Sequence, residues 1–251
     1  MPKTDTSLNS IQRLVGKAIG DYNMLSDGDR VLVAFSGGKD SWTLLHTLVA
    51  LQHKAPVKFS LIPATIHPGF PSFKCESLRA AVADLGMKLH IEETRNAEII
   101  QEHKRPGSSY CAFCARLRRG TLYTLAQRLE CNKVALGHHL DDFIETLLLN
   151  QFFSGTLAGM SPNMLADNGV QRVIRPLVYV DENQIIRWAE SVYLPIIGCG
   201  CPQNALLDQN RQKVKGLIAE LEQQIPHIKK SMLNSMRNVQ PRHLLDPNLS
   251  S

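Results

Sequence analysis

A short apolar run, Val31-Leu32-Val33-Ala34-Phe35, breaks off at Ser36-Gly37-Gly38-Lys39-Asp40-Ser41, and a helical pattern begins at once. The run is rich in valine and apolar throughout, as expected of a strand buried on both faces of a parallel sheet. Beyond the break, Trp42, Leu44, Leu45, Leu48, Val49 and Leu51 recur near helical spacing, which puts a helix start at about Asp40 or Ser41. Two adjacent glycines let the backbone turn sharply and bring its N–H groups up to an anion, and the positive end of the helix dipole favours negative charge at that place. Lys39 adds a mobile cation. Strand, phosphate loop and helix therefore follow in immediate succession, with Ser36, Gly37, Gly38, Lys39, Asp40 and Ser41 as candidate nucleotide-binding residues and Lys39 and Asp40 as candidate catalytic ones. The spacing is not that of G-x-x-x-x-G-K-[ST], so the kinase and GTPase reading loses its main support.

The rest of the chain fits around that unit. Ile11, Leu14, Val15, Ala18 and Ile19 form a helical stripe ahead of the turn Asp27-Gly28-Asp29. Further strands are expected at 58–67, 88–92, 133–136 and 170–177, with helices carried by Leu78 to Leu85, Leu117 to Leu129, Phe143 to Phe153 and Ile185 to Val192. The polar segment 96–110 reads as a surface loop. Strand and helix alternation predicts an α/β fold, a doubly wound parallel sheet with right-handed crossovers, preceded by an N-terminal helix and followed by a small helical C-terminal part. The expected divisions are 1–28, 29–197 and 198–251.

Gly137-His138-His139-Leu140-Asp141-Asp142 follows the fourth strand as Ser36 to Ser41 follows the first. In such a sheet both loops would open at the carboxyl edge, where ligands bind. Gly137 and His138 are then candidates beside a nucleotide, His138 as a donor to phosphate oxygens, and Asp141 or Asp142 could hold Mg²⁺ through its hard oxygens. Asp141 could equally cap the following helix.

Of six cysteines, Cys111 and Cys114 form a C-x-x-C, and Cys199 and Cys201 flank Gly200 far along the chain. In a reducing compartment such spacing reads as metal or redox chemistry rather than as disulfides. Four thiolates would close a tetrahedral zinc site, and three would leave an iron-sulfur cluster with one iron open to a further ligand. Cys75 and Cys131 have no cysteine nearby in sequence and read as small core residues.

The loop Ser36 to Ser41 resembles the pyrophosphate loop of the PP-loop ATP pyrophosphatases. Together with the segments 111–120 (CAFCARLRRG), 135–142 (ALGHHLDD) and 174–177 (IRPL), the chain is similar to tRNA 2-thiocytidine synthetases of the TtcA type. That resemblance implies cleavage of ATP between its α and β phosphates, adenylation of the C2 oxygen of cytidine 32 in a tRNA, and its replacement by sulfur. It also implies a 4Fe-4S cluster held by three cysteines: Cys111, Cys114 and one of the later pair. The later cysteine, Cys201, is the assignment, although Cys199 and Cys201 stand one residue apart where the family pattern has two. ATP, Mg²⁺ and the cluster are thus the expected cofactors, tRNA and a sulfur donor such as a cysteine desulfurase the expected partners, and a homodimer the expected assembly. The immediate sulfur carrier, on the cluster or as a cysteine persulfide, stays open.

The net charge of +5 agrees with a nucleic-acid partner without requiring one. Arg116, Arg118 and Arg119, with Lys104 and Arg105 before the C-x-x-C, are candidates for the RNA backbone. The first ten residues carry no apolar signal core and no run approaches the roughly 20 apolar residues of a membrane span, so a cytoplasmic protein is expected. The competing reading is a PP-loop enzyme adenylating another substrate, its cysteines holding structural zinc.

Overall fold

The computed structural model describes residues 6–70, 72–103, 110–198, 201 and 209–246. They form two compact units, one made of 1–139 with 161–208 and the other of 140–160 with 209–251.

The first unit is built on a six-stranded sheet: β1 (Asp29–Ala34), β2 (Phe59–His67), β3 (His90–Glu93), β4 (Lys133–Ala135), β5 (Asn163–Leu165) and β6 (Arg172–Ile174). Their order across the sheet is β3-β2-β1-β4-β6-β5. All neighbours are parallel except β5 and β6. The predicted doubly wound sheet is therefore present, with one antiparallel strand added at its edge, where a hairpin can close a sheet that needs no further crossover. The order runs outward from β1 in one direction and from β4 in the other. The crevice between the carboxyl ends of these two strands is the switch point at which open α/β sheets bind ligands.

Val31, Leu32 and Val33 are fully buried, as a central strand covered on both faces requires. Leu32 packs with Val134 and Val173 under Leu122, Leu125 and Ala126 of α5 (Tyr110–Arg128). By the pleat, Val31 and Val33 point to the opposite face. The helices α1 (Thr6–Asp21), α2 (Lys39–Gln52) and α7 (Glu182–Ser191) pack against one another. The remaining helices of this unit are α3 (Glu76–Ala83) and α4 (Asn96–His103). The polar loop expected over 96–110 is thus partly helical. Its buried apolar residues are Ala97 and Ile100, with Ile99 half-buried, too short a pattern to stand out from a loop.

The second unit holds α6 (Leu140–Leu149), a single π-helical turn (Asn150–Ser154), α8 (Gln209–Gln224) and α9 (Ile228–Ser235). α6 packs against α8 and α9, and charge joins them: Lys229 meets Asp141 at 2.8 Å and Glu222 at 3.1 Å, while Arg211 meets Asp142 at 3.3 Å and Glu145 at 3.1 Å. No helix among the described residues is long and apolar enough to cross a membrane.

Candidate functional site

The strand β1 ends by handing its ladder to Phe35, whose N–H donates to the Ala64 carbonyl at 2.8 Å, and the chain then turns at Ser36 and Gly37. Gly37 has φ +79°, a conformation that costs a side-chain-bearing residue energy, and a Cβ there would lie 2.6 Å from Ile197 Cγ1 and 2.8 Å from Leu78 Cδ1. Its carbonyl accepts the Ile197 N–H at 3.1 Å. The loop is braced internally by the Ser41 hydroxyl, which donates to the Gly38 carbonyl at 2.9 Å and lies 3.3 Å from Ser36 Oγ.

Gly38 is the residue before the first turn of α2, and no side chain caps that turn. The N–H groups of Lys39, Asp40 and Ser41 stand at the positive end of a helix dipole, the arrangement that binds phosphate. Helix α7 contrasts with this: Asp181 accepts the Asn183 N–H at 2.8 Å, Gln184 Oε1 accepts the Asp181 N–H at 3.1 Å, and the capping box is complete.

Lys39 lies between two carboxylates, 2.9 Å from Asp40 Oδ1 and 3.1 Å from Glu182 Oε1. Burial alone would lower its pKa, but Asp40 and then Glu182 outweigh it and hold the ammonium above the ordinary lysine range. The second loop approaches here. A Cβ on Gly137 would come within 3.3 Å of the Asp40 backbone, a tight contact, so glycine eases the close approach of the two loops. His139 Nε2 lies 3.8 Å from Asp40 Oδ1. His138 accepts the Arg175 Nε–H at Nδ1, 3.1 Å away, which leaves its proton on Nε2 and makes that nitrogen a donor. Arg175 also donates to the Ser161 carbonyl.

Residues 6–195 match the PP-loop domain family. Over 245 residues the chain is 55% identical to a tRNA-cytidine(32) 2-sulfurtransferase of Syntrophotalea carbinolica, covering 98% of this chain and 95% of that one. A protein of the same name from Geobacter metallireducens is 54% identical over 239 residues, 95% of this chain and 93% of its own. The chain belongs to the tRNA-cytidine(32) 2-sulfurtransferases of the PP-loop family. Its fold is that of the U34-tRNA thiolase NcsA from Methanococcus maripaludis, described with its [4Fe-4S] cluster, at a TM-score of 0.75 and 22% identity over 94% of this chain and 80% of that one.

Within this PP-loop protein, Ser36, Gly37, Gly38, Lys39, Asp40, Ser41, Gly137 and His138 all belong to the unit that carries the switch point. Asp141 and Asp142 begin α6 in the other unit, where Lys229 and Arg211 hold their carboxylates. Cys111 and Cys114 are three residues apart near the start of α5, and Cys114 and Cys201 are half-buried. The Cys111 side chain, Cys199, Lys104 and Arg105 lie outside the described residues. Among the described residues no group of three His, Cys, Asp or Glu side chains gathers as metal ligands. Cys75 and Cys131 are buried, and burial pushes both thiols above the ordinary cysteine range, which suits inert core residues. Arg116 and Arg119 are exposed and Arg118 half-buried along α5.

Sequence reasoning missed Glu182, Arg175 as the partner of His138, and Ile197 as the brace of the loop. The D-x-x-Q spacing of Asp181 and Gln184 is a readable helix start that puts Glu182 in a first turn. Nothing in the sequence says that this turn faces Lys39.

Proposed function

We infer that the protein thiolates tRNA, converting cytidine 32 to 2-thiocytidine at the cost of ATP. The observation that carries the reading is the approach of the two loops at the switch point, with Gly137 against the Asp40 backbone beside an uncapped helix start, in a chain 55% identical to a named sulfurtransferase.

The C2 oxygen of cytidine attacks the α phosphate of ATP and pyrophosphate departs, which converts a poor leaving group into a good one. The N–H groups of the first turn of α2 donate to the departing pyrophosphate, the hydroxyls of Ser36 and Ser41 brace the loop that presents them, and Lys39 offsets the charge that builds on the leaving group. His138, held as an Nε2 donor by Arg175, offers a hydrogen bond to a phosphate oxygen. Sulfur then takes the place of the adenylated oxygen at C2, and AMP leaves. Mg²⁺ would offset phosphate charge when bound; the carboxylates of Asp141 and Asp142, the expected oxygen donors, are paired to Lys229 and Arg211.

Cys111, Cys114 and Cys201 would hold the cluster. The donor set fits: two cysteines three residues apart in one helix and a third four residues beyond Ile197, whose N–H is bonded to the phosphate loop. Three thiolates on four irons leave one iron open to a further ligand, and that open position is the chemistry the cluster supplies when bound. Arg116, Arg118 and Arg119 lie on the same helix as the C-x-x-C and suit the tRNA backbone. A cysteine desulfurase as sulfur donor, a homodimer and a cytoplasmic location complete the reading.

Mass spectrometry of tRNA nucleosides tests it. Cells lacking the gene should lose 2-thiocytidine and regain it with the wild-type chain. Retention of the nucleoside in the deletion strain refutes the assignment. Iron content separates the metal readings: Cys111→Ser, Cys114→Ser and Cys201→Ser should each lose iron while keeping ATP binding, and Cys199→Ser should keep both. A colourless protein with stoichiometric zinc, lost equally in all four variants, would establish the structural-zinc alternative.

A further inference from the structure

Glu182 belongs to no predicted motif, yet its carboxylate lies 3.1 Å from the Lys39 ammonium, which the proposed reaction sets against the leaving pyrophosphate. Three features fix it there. It is the first residue of α7, whose start is locked by the complete Asp181–Gln184 capping box. The negative charge sits at the favourable end of the α7 dipole. Helices α2 and α7 are also joined by a run of rings, with Trp42 to His46 at 5.7 Å and His46 to Trp188 at 5.2 Å between centroids, so the helix starts that carry Lys39 and Glu182 are held by one packed interface. The Glu182 side chain is only 15% exposed.

A lysine side chain is a flexible four-carbon stem that samples many positions unless its head is held. Asp40, the next residue in α2, pairs with the ammonium but ties it to no other element. Glu182 comes from a different element and can. We propose that Glu182 is a positioning residue for adenylation, holding the Lys39 ammonium where charge develops on the departing pyrophosphate. The proposal rests on the thiolation reading for the identity of the reaction, though not for the ion pair.

Glu182 acts in two opposing ways on bound ATP. Its charge repels the polyphosphate, and its grip on Lys39 preserves an attraction. Ground-state affinity should therefore change little on its removal, while the rate of pyrophosphate release should fall, because that rate depends on where the ammonium is when the bond breaks.

A double-mutant cycle tests this on the full chain with its cluster, using tRNA, ATP and pyrophosphate release. Glu182→Gln should lower turnover by at least about tenfold with ATP affinity held within about threefold, a split in kcat rather than KM. In the Lys39→Ala background the same change should cost no further turnover. An equal cost in both backgrounds would make Glu182 a structural helix residue and overturn the proposal, as would a parallel loss of ATP affinity. A second measurement needs no turnover. With lysines labelled by ¹³C reductive methylation, the Lys39 resonance, assigned by its loss in Lys39→Ala, should titrate above ordinary lysines and drop towards them in Glu182→Gln. An unmoved resonance refutes the pairing. If the wild type binds ATP but releases no pyrophosphate with tRNA, the adenylation reading fails, and the lysine titration still decides the role of Glu182.

Discussion

β1 and β4 are neighbours in the sheet, and their two ends are built on opposite plans. At the amino ends, Asp29 and Lys133 form a buried ion pair at 2.6 Å. Asp29 also accepts the Ser26 N–H at 2.6 Å and the Asn132 side-chain N–H at 2.7 Å, while Lys133 donates to the Met24 carbonyl at 2.7 Å. Burial pushes the Asp29 carboxyl up, but Lys133, the Ser26 N–H and Asn132 outweigh it, and its pKa lies below the ordinary aspartate range. At the carboxyl ends, Lys39 is also paired with carboxylates, but it is more exposed than Lys133 and sits beside helix N–H groups that no side chain caps. One end spends its charges on itself. The other keeps donors in hand for an anion, and it is there that ATP is read to bind. The same ion-pair chemistry thus serves stability where the two charges are matched by each other and by neighbouring hydrogen bonds, and in the proposed reaction serves catalysis where backbone donors are left uncapped.

The contrast can be broken most severely at the closed end. Lys133→Met leaves a buried carboxylate without its cation and should cost about 3–5 kcal/mol of stability at neutral pH. Urea unfolding measures that loss. Activity per folded molecule should be unchanged; a fall in ATP turnover beyond the loss of folded protein would mean that the two ends are coupled.

At the open end the effects reverse. Lys39→Ala should lower adenylation by roughly a hundred- to a thousandfold, the scale of losing one preorganised electrostatic partner, while the urea midpoint stays near wild type. Unchanged thiolation in this variant would reduce Ser36 to Ser41 to a turn. Gly37→Ala lies between the two cases. It forces a side chain into a positive-φ position and against Ile197 and Leu78, and a strain of about 1–3 kcal/mol should appear partly as lost stability and partly as weaker ATP binding. Calorimetric titration with ATP beside urea unfolding separates the two.

The parts that sequence could reach are those with local grammar. Val31 to Phe35 announce a buried strand, Ser36 to Ser41 a phosphate loop, and the repeated strand–helix spacing a wound sheet; that its switch falls between β1 and β4 is what the strand order adds. The edge strand β5 escaped because it has three residues, and its pairing with β6 turns on Asp167-Asn168-Gly169, a turn signal in a stretch to which no element was assigned. A small helical C-terminal part was expected over 198–251, but the grouping of α6 with its helices was not, because what joins α6 to α8 and α9 includes side-chain charge brought together by folding: Asp141 with Lys229 and Glu145 with Arg211. Glu182 escaped for the same reason. A carboxylate at a helix start is common, and only the packing of α7 on α2 brings this one to Lys39.

The smallest expected effect sharpens the comparison from within that packing. His46 lies between Trp42 and Trp188 in the interface that carries Lys39 at one helix start and Glu182 at the other. Burial disfavours its charged form, so its folded-state pKa is below the ordinary histidine value. The folded state then binds fewer protons than the unfolded one in the window between the folded pKa and the unfolded value of about 6.5. Stability from this group is whole above about pH 6.5 and is lost as the pH falls through that window, with a slope of at most ~1.4 kcal/mol per pH unit. Asp29 adds a loss of the same sign only at lower pH, as the medium falls below the unfolded aspartate value near 3.9 and through its depressed folded pKa. Urea unfolding at pH 7.5 and 5.5 isolates the histidine. Wild type should be weaker at pH 5.5, and His46→Phe, which keeps an aromatic ring between the tryptophans, should lose part of that difference. Because the interface orders the Lys39–Glu182 pair, ATP turnover in His46→Phe should also fall less on acidification than in wild type. Identical pH profiles for the two proteins would show that the ring stack tolerates a charged imidazole and that the open end of the sheet is insulated from it.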